Sequence, residues 1–270
     1  MTMRTRGLFA YFGYELPLAQ RLALIARAGF AGTAMWWADD EALVRAGRRA
    51  EMPAMVRDAG LAPLNAHLSF ADCNDIWSPS RTVRESWLAR RAADVEECAR
   101  LDVPCAILHV THGVDAPEPT GDGLDVLGRL VRQAGQAGVT LAVENTRRDD
   151  IVHRVLETFD SPAVGFCYDS SHDWMWGRPR GGTLRRWGAR LVQTHLADCD
   201  AEGHDRHLLP GDGPLDWREV AGLFPPAYRG PLMLEVLPRD LGRWASPEAF
   251  LAEAKRRLER LEGLLPEAGG

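Results

Sequence analysis

Short apolar runs recur along this chain, and six in succession end on a side chain that can bind a metal. "LAPLNAH" ends on His67, "CAILH" on His109, "VTLAVE" on Glu144, "AVGFCYD" on Asp169, "RLVQTH" on His195 and "PLMLE" on Glu235. A short continuous apolar run bounded by turn residues is the pattern of a strand buried on both faces, as in a parallel sheet. Helix-like stretches separate the runs: over 84–101, 123–135 and 246–265 the apolar positions recur at intervals of three and four.

Two further units come first, with a run over 7–13, a helix over 17–29, a run over 32–37 and a helix through about Gly60. Eight strand candidates in 270 residues, about 34 residues per unit, suit a (β/α)8 TIM barrel of roughly 250 residues. The fold class expected is therefore α/β, as one barrel domain over 1–270. In such a barrel the C-terminal strand ends and the loops after them form the active-site face, so residues remote in sequence converge. An open doubly wound sheet would gather its ligands at one switch point instead of from six strands.

Composition narrows the function classes. The formal charge is −6 with 46% hydrophobic residues, an ordinary globular balance. No apolar stretch reaches the roughly 18 residues needed to span a bilayer, and the first residues lack a signal-type apolar core, so a cytoplasmic protein without a membrane partner is expected. The five cysteines are widely spaced with no CxxC pair, which points away from a disulfide framework or a zinc ribbon; Cys105 and Cys167 read as small apolar strand residues. An acidic balance leaves no footprint for non-specific nucleic-acid binding. A small-molecule substrate is the expected partner, and a homodimer is in keeping with barrel enzymes of this type.

Glu144, Asp169, His195 and Glu235 offer three carboxylates and one imidazole from four consecutive strands. Hard oxygen donors with one nitrogen suit Mn²⁺, Mg²⁺ or Co²⁺, and raw affinity would admit Zn²⁺. Glu144 and Glu235 are the expected catalytic pair: two glutamates on opposite sides of a metal-held sugar would act as base and conjugate acid for a proton next to a carbonyl, through a metal-stabilised enediolate. His67, His109, His172, Asp205 and His207 extend the donor set. They either bind one or two more ions or support a single ion and its substrate by hydrogen bonding.

Aromatic residues crowd the expected mouth: Tyr11, Phe12 and Tyr14 after the first strand, Trp36 and Trp37 after the second, Trp77 in the long third loop, and Trp174 and Trp176 beyond the sixth strand. They either wall a polyol site or fill the core. Tyr14 and Trp37, with His172 and His207, are the expected substrate contacts. Arg147, Arg148, Arg178 and Arg180 would bind a substrate phosphate or carboxylate or else lie in solvent. His153 reads as a surface residue, while His112 and His204 lie in loops near the mouth. The two longest irregular stretches, 68–82 and 198–214, follow the third and seventh strands.

The segments "GLFAYFGYE", "AVENT", "FCYDSSH", "THLADCD", "DRHLLPGDGPLDW" and "LMLEV" resemble the xylose isomerase-like barrel superfamily, which holds sugar and sugar-phosphate isomerases and epimerases together with abasic-site nucleases of the endonuclease IV type. The resemblance covers nearly the whole chain. It implies that Glu144, Asp169, His195 and Glu235 are the metal quartet of the ketose 3-epimerases, that the two glutamates move the proton, and that His172 lies near the substrate oxygens. His207 stands where those epimerases carry an arginine. All nine metal-type residues also resemble the nuclease's three-zinc set. Against that second likeness, the ten residues from His195 to Asp205 make a shorter loop than the nuclease's, and "WWADDE" is acidic where the nuclease probes DNA. A metal-dependent isomerase or epimerase of a small sugar, sugar phosphate or polyol is thus the leading expectation. A multinuclear zinc phosphodiesterase is the alternative, and a non-catalytic barrel that binds a polyol or metal is the third.

Overall fold

The computed structural model describes residues 4–38 and 48–266. The eight apolar runs are strands: β1 (Arg6–Phe9), β2 (Gly32–Trp37), β3 (Ala62–Leu68), β4 (Cys105–Leu108), β5 (Thr140–Glu144), β6 (Val164–Asp169), β7 (Leu191–His195) and β8 (Leu232–Leu234). They form one sheet in the order β7-β6-β5-β4-β3-β2-β1-β8, and every registered pair is parallel. At the β7/β8 seam Leu196 bridges Leu234 in parallel and its N–H donates to Met233 O (2.8 Å), bringing the sheet nearly to closure. This is the TIM barrel that the alternation of strands and helices predicts.

Outside the sheet lie α1 (Leu18–Arg27), α2 (Met52–Asp58), α3 (Arg81–Arg100), α4 (Gly121–Ala137), α5 (Asp149–Thr158), α6 (Ser170–Trp176), α7 (Gly182–Trp187), α8 (Trp217–Gly222) and α9 (Pro247–Glu262). Their ends follow local chemistry. Thr120 caps α4 by accepting Gly123 N–H (3.0 Å), and α4 stops at Gly138, whose φ of 72° suits a residue without Cβ. Ser246 caps α9 ahead of Pro247 at its first position.

Alternation along each strand divides the core. Phe9, Ala34 and Met233 cluster inside the barrel, as do Cys105, Ile107, Ala142 and Cys167, and Asn65 donates across the interior to Gln193 (3.2 Å). The intervening positions, among them Leu8, Met35, Trp37, Leu108, Val143 and Phe166, pack in the larger cluster with residues of the surrounding helices. Counting in twos from the inner set reaches His67, His109, Glu144, Asp169, His195 and Glu235, so all six enter the top of the interior.

Several sequence boundaries need correction. The first strand stops at Phe9 instead of running to Gly13, because after Ala10 N–H donates to Ala34 O the chain turns away. The helix expected from 84 starts three residues earlier, at Arg81. The helix expected up to Gly60 is seen as α2, and the acidic stretch beyond Ala38 lies outside the described residues. Among the described residues no helix is long and apolar enough to cross a membrane.

Candidate metal centre

Backbone stitching at the mouth holds the donors in place. Asn145, just past β5, accepts Asp169 N–H on its Oδ1 (2.7 Å) and donates from Nδ2 to Asp169 O (2.8 Å), tying the ends of β5 and β6 together. Asp169 Oδ1 then caps α6, accepting from Ser171 Oγ and from His172 N–H (2.7 Å each). Ser170 Oγ bonds the Ala197 backbone on the β7 side. The seventh loop is organised by Asp198, whose carboxylate accepts from Gly211 N–H, Leu215 N–H and the Trp217 indole (3.0, 3.2 and 3.0 Å). A Cβ on Gly213 would lie 2.0 Å from Cys199 O, so only glycine permits this fold of the loop. Arg239, beyond β8, donates to the carbonyls of Asp205 and Arg206 and so braces the Asp205/His207 pair.

These supports bring all nine metal-type residues together, with Glu144 at their centre. Glu144 Oε2 lies 3.1 Å from His109 Nε2, 3.5 Å from His67 Nε2 and 3.1 Å from His195 Nδ1. His195 Nδ1 is also 3.0 Å from Glu235 Oε2, while His172 Nδ1 is 3.3 Å from Glu144 Oε1. Asp205 Oδ2 stands between His172 Nε2 (3.2 Å) and His207 Nε2 (3.4 Å). His207 is held there with φ of 48°, a left-handed conformation uncommon outside glycine.

The donor set fits a divalent cation. His67, His172 and His207 each place Nδ1 against a backbone carbonyl (Leu68 O, Asn145 O and Glu235 O) and present Nε2 to a carboxylate. Metal-binding histidines are oriented in this way. Asp169 Oδ2 and both His195 ring nitrogens are buried with no aligned hydrogen-bond partner among the described residues, although His195 Nδ1 is close to two carboxylates. Groups that face a common point, and not each other, are what an ion requires. Groups of three donors lie within 4.8 Å of one another: His67, His109 and Glu144; Glu144, Asp169 and His172; and Asp169, His195 and Glu235. A further group joins Glu144 and His195 to Cys167. Cys167 is buried in the apolar cluster as expected, and its place beside His195 is a feature that the apolar reading passed over.

Electrostatics follow the same geometry. Burial alone would raise the Glu144 carboxyl, but the His195 and His109 imidazoles outweigh it and hold Glu144 well below the usual range. At Glu235 burial is again outweighed, by His195 and His207, which bring it down to about 2. At Asp169 burial prevails and pushes the carboxyl up to about 6. Charge on the glutamates is thus offset by neighbouring imidazoles, a part that a divalent ion would take over when bound.

Above the donors opens a cavity of about 350 Å³, with Trp36, Phe70, Thr111, Thr146, Arg147 and Trp176 among its walls and with Glu144 and Glu235 also lining it. Trp176 stacks on His172 at 4.8 Å and Trp36 on His67 at 5.0 Å. Phe70, which stacks on His109 at 5.2 Å, went unrecognised in the sequence because nothing local marks its direction. Two expected substrate contacts are placed elsewhere. Trp37 points outward into the helix-facing core, and Tyr14 packs against Phe12 and Phe250. His112 lines the cavity, whereas His204 is tied to Asp200. His153 is half-buried, its Nδ1 accepting from the Trp187 indole (2.8 Å), and is not the free surface residue expected.

The chain resembles known proteins along most of its length. It is 26% identical over 249 residues to a Streptomyces coelicolor protein provisionally named hydroxypyruvate isomerase, covering 84% of this chain and 88% of that one. With a provisionally named endonuclease 4 of Mycobacterium tuberculosis it shares 27% identity over 192 residues, 66% of this chain and 69% of that one. Protein y4fM of Sinorhizobium fredii is 40% identical over 118 residues, 43% of this chain but about a third (36%) of its own length. Among solved structures, D-psicose 3-epimerase from Clostridium cellulolyticum H10 superposes with a TM-score of 0.75 at 17% identity, over 98% of this chain and 100% of that one, a likeness of fold. Because the family model itself runs from residue 22 to residue 261, the chain belongs to the xylose isomerase-like TIM barrel family.

Proposed function

We propose that this protein is a metal-dependent isomerase or epimerase of a small sugar, sugar phosphate or polyol, with Glu144 and Glu235 moving the proton. One observation carries the reading: carboxylates from the ends of β5 and β8 converge on the same His195 nitrogen, at 3.1 and 3.0 Å, and both line the cavity. A carbonyl compound seated between them would have a glutamate on each side of the carbon that bears the mobile proton. One glutamate removes it and the other returns it. A divalent ion (Mn²⁺, Mg²⁺, Co²⁺ or Zn²⁺), when bound by Glu144, Asp169, His195 and Glu235, would supply polarisation of the substrate carbonyl.

The remaining steps belong to the chain. His172, with its ring fixed by the Asn145 carbonyl, and His207, fixed by Glu235 O, present their Nε2 atoms where substrate oxygens or a further ion would lie. Trp36, Phe70 and Trp176 exclude water and offer apolar faces to carbon-bound hydrogens. A cavity of about 350 Å³ suits a small molecule. The provisional isomerase from Streptomyces coelicolor and the sugar epimerases of like fold support the same reading.

A second reading rests on the sharing of Glu144 between the His67/His109 and Asp169/His172 groups, with a third cluster at Asp205. Such sharing would suit a multinuclear zinc phosphodiesterase, and endonuclease 4 relatives favour it. Among the described cavity walls, however, Arg147 is the sole arginine or lysine, a poor platform for a nucleic-acid backbone.

The test is proton exchange. Protein loaded with Mn²⁺ is incubated in D2O with hydroxypyruvate and a panel of ketoses, and deuterium uptake beside the carbonyl is read by NMR. The proposal expects uptake into at least one compound and its loss in Glu144→Gln and Glu235→Gln. Uptake unchanged in both variants would end the two-glutamate mechanism, and cleavage of an abasic duplex by zinc-loaded protein without any exchange would favour the second reading.

A further inference from the structure

We infer that the substrate of this site carries an anionic group, a carboxylate or a phosphate, which Arg147 holds at the cavity mouth together with the hydroxyls of Thr111 and Thr146. The inference rests on the sugar-site reading above and adds the chemical class of the molecule.

The cavity is electrically lopsided. Its floor and its β7/β8 side present Glu144, Asp205 and Glu235, whereas the loops after β4 and β5 contribute Thr111, Thr146 and Arg147. The arginines near the mouth are otherwise engaged. Arg148 is paired with Asp150 and Glu118, Arg178 donates to the Gly177 and Met175 carbonyls, and Arg180 donates to Trp174 O and lies 3.9 Å over that indole. Arg147 has no carboxylate partner among the described residues; its guanidinium stands 5.9 Å from the Trp176 ring, which itself stacks on His172. A rigid planar fork of donors steered by an aromatic wall suits two oxygens of one anion.

The hydroxyls are the independent observation. Thr111 is 0% and Thr146 5% exposed, both line the cavity, and neither Oγ1 has a hydrogen-bond partner among the described residues. Buried hydroxyls are almost always partnered, so two unpartnered threonines in the wall of one cavity mark a place where a ligand's oxygens would complete the set. A neutral polyol could accept from the arginine but would leave its charge without a counterpart. An anion engages all three.

Three matched six-carbon probes without a carbonyl separate binding from turnover: D-glucitol, D-gluconate and D-glucitol 6-phosphate. Calorimetry on the Mn²⁺-loaded protein should show one or both anions binding about tenfold or more tighter than D-glucitol, the size expected of a charge-assisted hydrogen bond. Which anion gains identifies carboxylate or phosphate as the group. Arg147→Gln, at an exposed rim position, should reduce the advantage to about twofold, and Thr111→Val and Thr146→Val should each weaken anion binding by a smaller factor. Equal binding of all three probes, or an anion preference that survives Arg147→Gln, would overturn the inference while leaving the sugar site standing. If none of the three binds, the sugar site and this inference fall together.

Discussion

The inner and outer faces of the barrel wall treat similar side chains in opposite ways. On β2, Trp36 turns inward and stacks 5.0 Å from His67, while its neighbour Trp37 turns outward and is sealed against the helices with Arg49 5.9 Å from its ring. On β5, Val143 faces the helices and Glu144 faces the metal-type cluster. One step along a strand thus separates chemistry from packing, because successive side chains point to opposite sides of a sheet. Unpartnered polar atoms occur on both faces, the outer Trp37 Nε1 among them, but the inner face at the mouth differs in kind. It concentrates buried carboxylates, unpartnered ring nitrogens and a positive φ at His207. Strain and unsatisfied polarity of this kind gather where a ligand is meant to complete the structure.

The sharpest way to break this contrast is to neutralise an inner carboxylate. Glu144→Gln and Glu235→Gln should each lower turnover by roughly 10²–10⁴-fold, the usual range for a proton-transferring group, as read from kcat on a substrate found by the exchange assay. If either variant kept full turnover, the inner face would be structural like the outer.

Exchanging the two tryptophans for alanine tests the outer side. Trp37→Ala should cost about 3–5 kcal/mol of stability by denaturant unfolding, because a large side chain leaves the core, with ligand affinity retained in the folded fraction. Trp36→Ala should do the reverse, weakening ligand binding more than stability. Similar stability losses in both would remove the distinction.

Asp198 lies between the two faces and organises the seventh loop. Asp198→Asn should lower stability by about 2 kcal/mol, since its carboxylate accepts from backbone N–H groups and an indole that an amide NH2 would repel. Thermal unfolding of the chelated protein reads this loss apart from any ion.

A pH-dependent effect concerns Asp149 at the start of α5. Burial pushes its carboxyl up to about 6, although Thr183 donates to it at 3.0 Å. The folded chain therefore holds this proton to higher pH than an unfolded carboxyl titrating near pH ~3.9, and stability falls as pH rises between those values. Asp149→Asn should remove that slope, so its stability relative to the wild type should grow from about pH 4 to about pH 6 and then level off. A difference that stays flat across this window would mean that Asp149 is solvated.

Much of the site was legible because strand ends were legible. Runs such as "VTLAVE" and "RLVQTH" locate the last residue of β5 and β7 and hence Glu144 and His195. The same parity could have separated Trp36 from Trp37, since counting back in twos from Trp36 meets Ala34 and Gly32 on the interior face. Loop residues were harder. Tyr14 follows a strand yet packs on Phe12 and Phe250, because the chain turns outward after Ala10. Phe70 turns back over His109 from a loop of similar composition.

The sequence by itself determined the alternation of strand and helix, the parallel sheet and the donors that close six strands, because period and burial pattern are local properties. Only the tertiary structure decided which carboxylates share an imidazole, which arginine lines the cavity and which aromatic faces it. Those outcomes depend on strand register, on hydrogen bonds such as that from Asn145 to Asp169, and on where each loop returns. Such relations join residues far apart in the chain, and no local pattern encodes them.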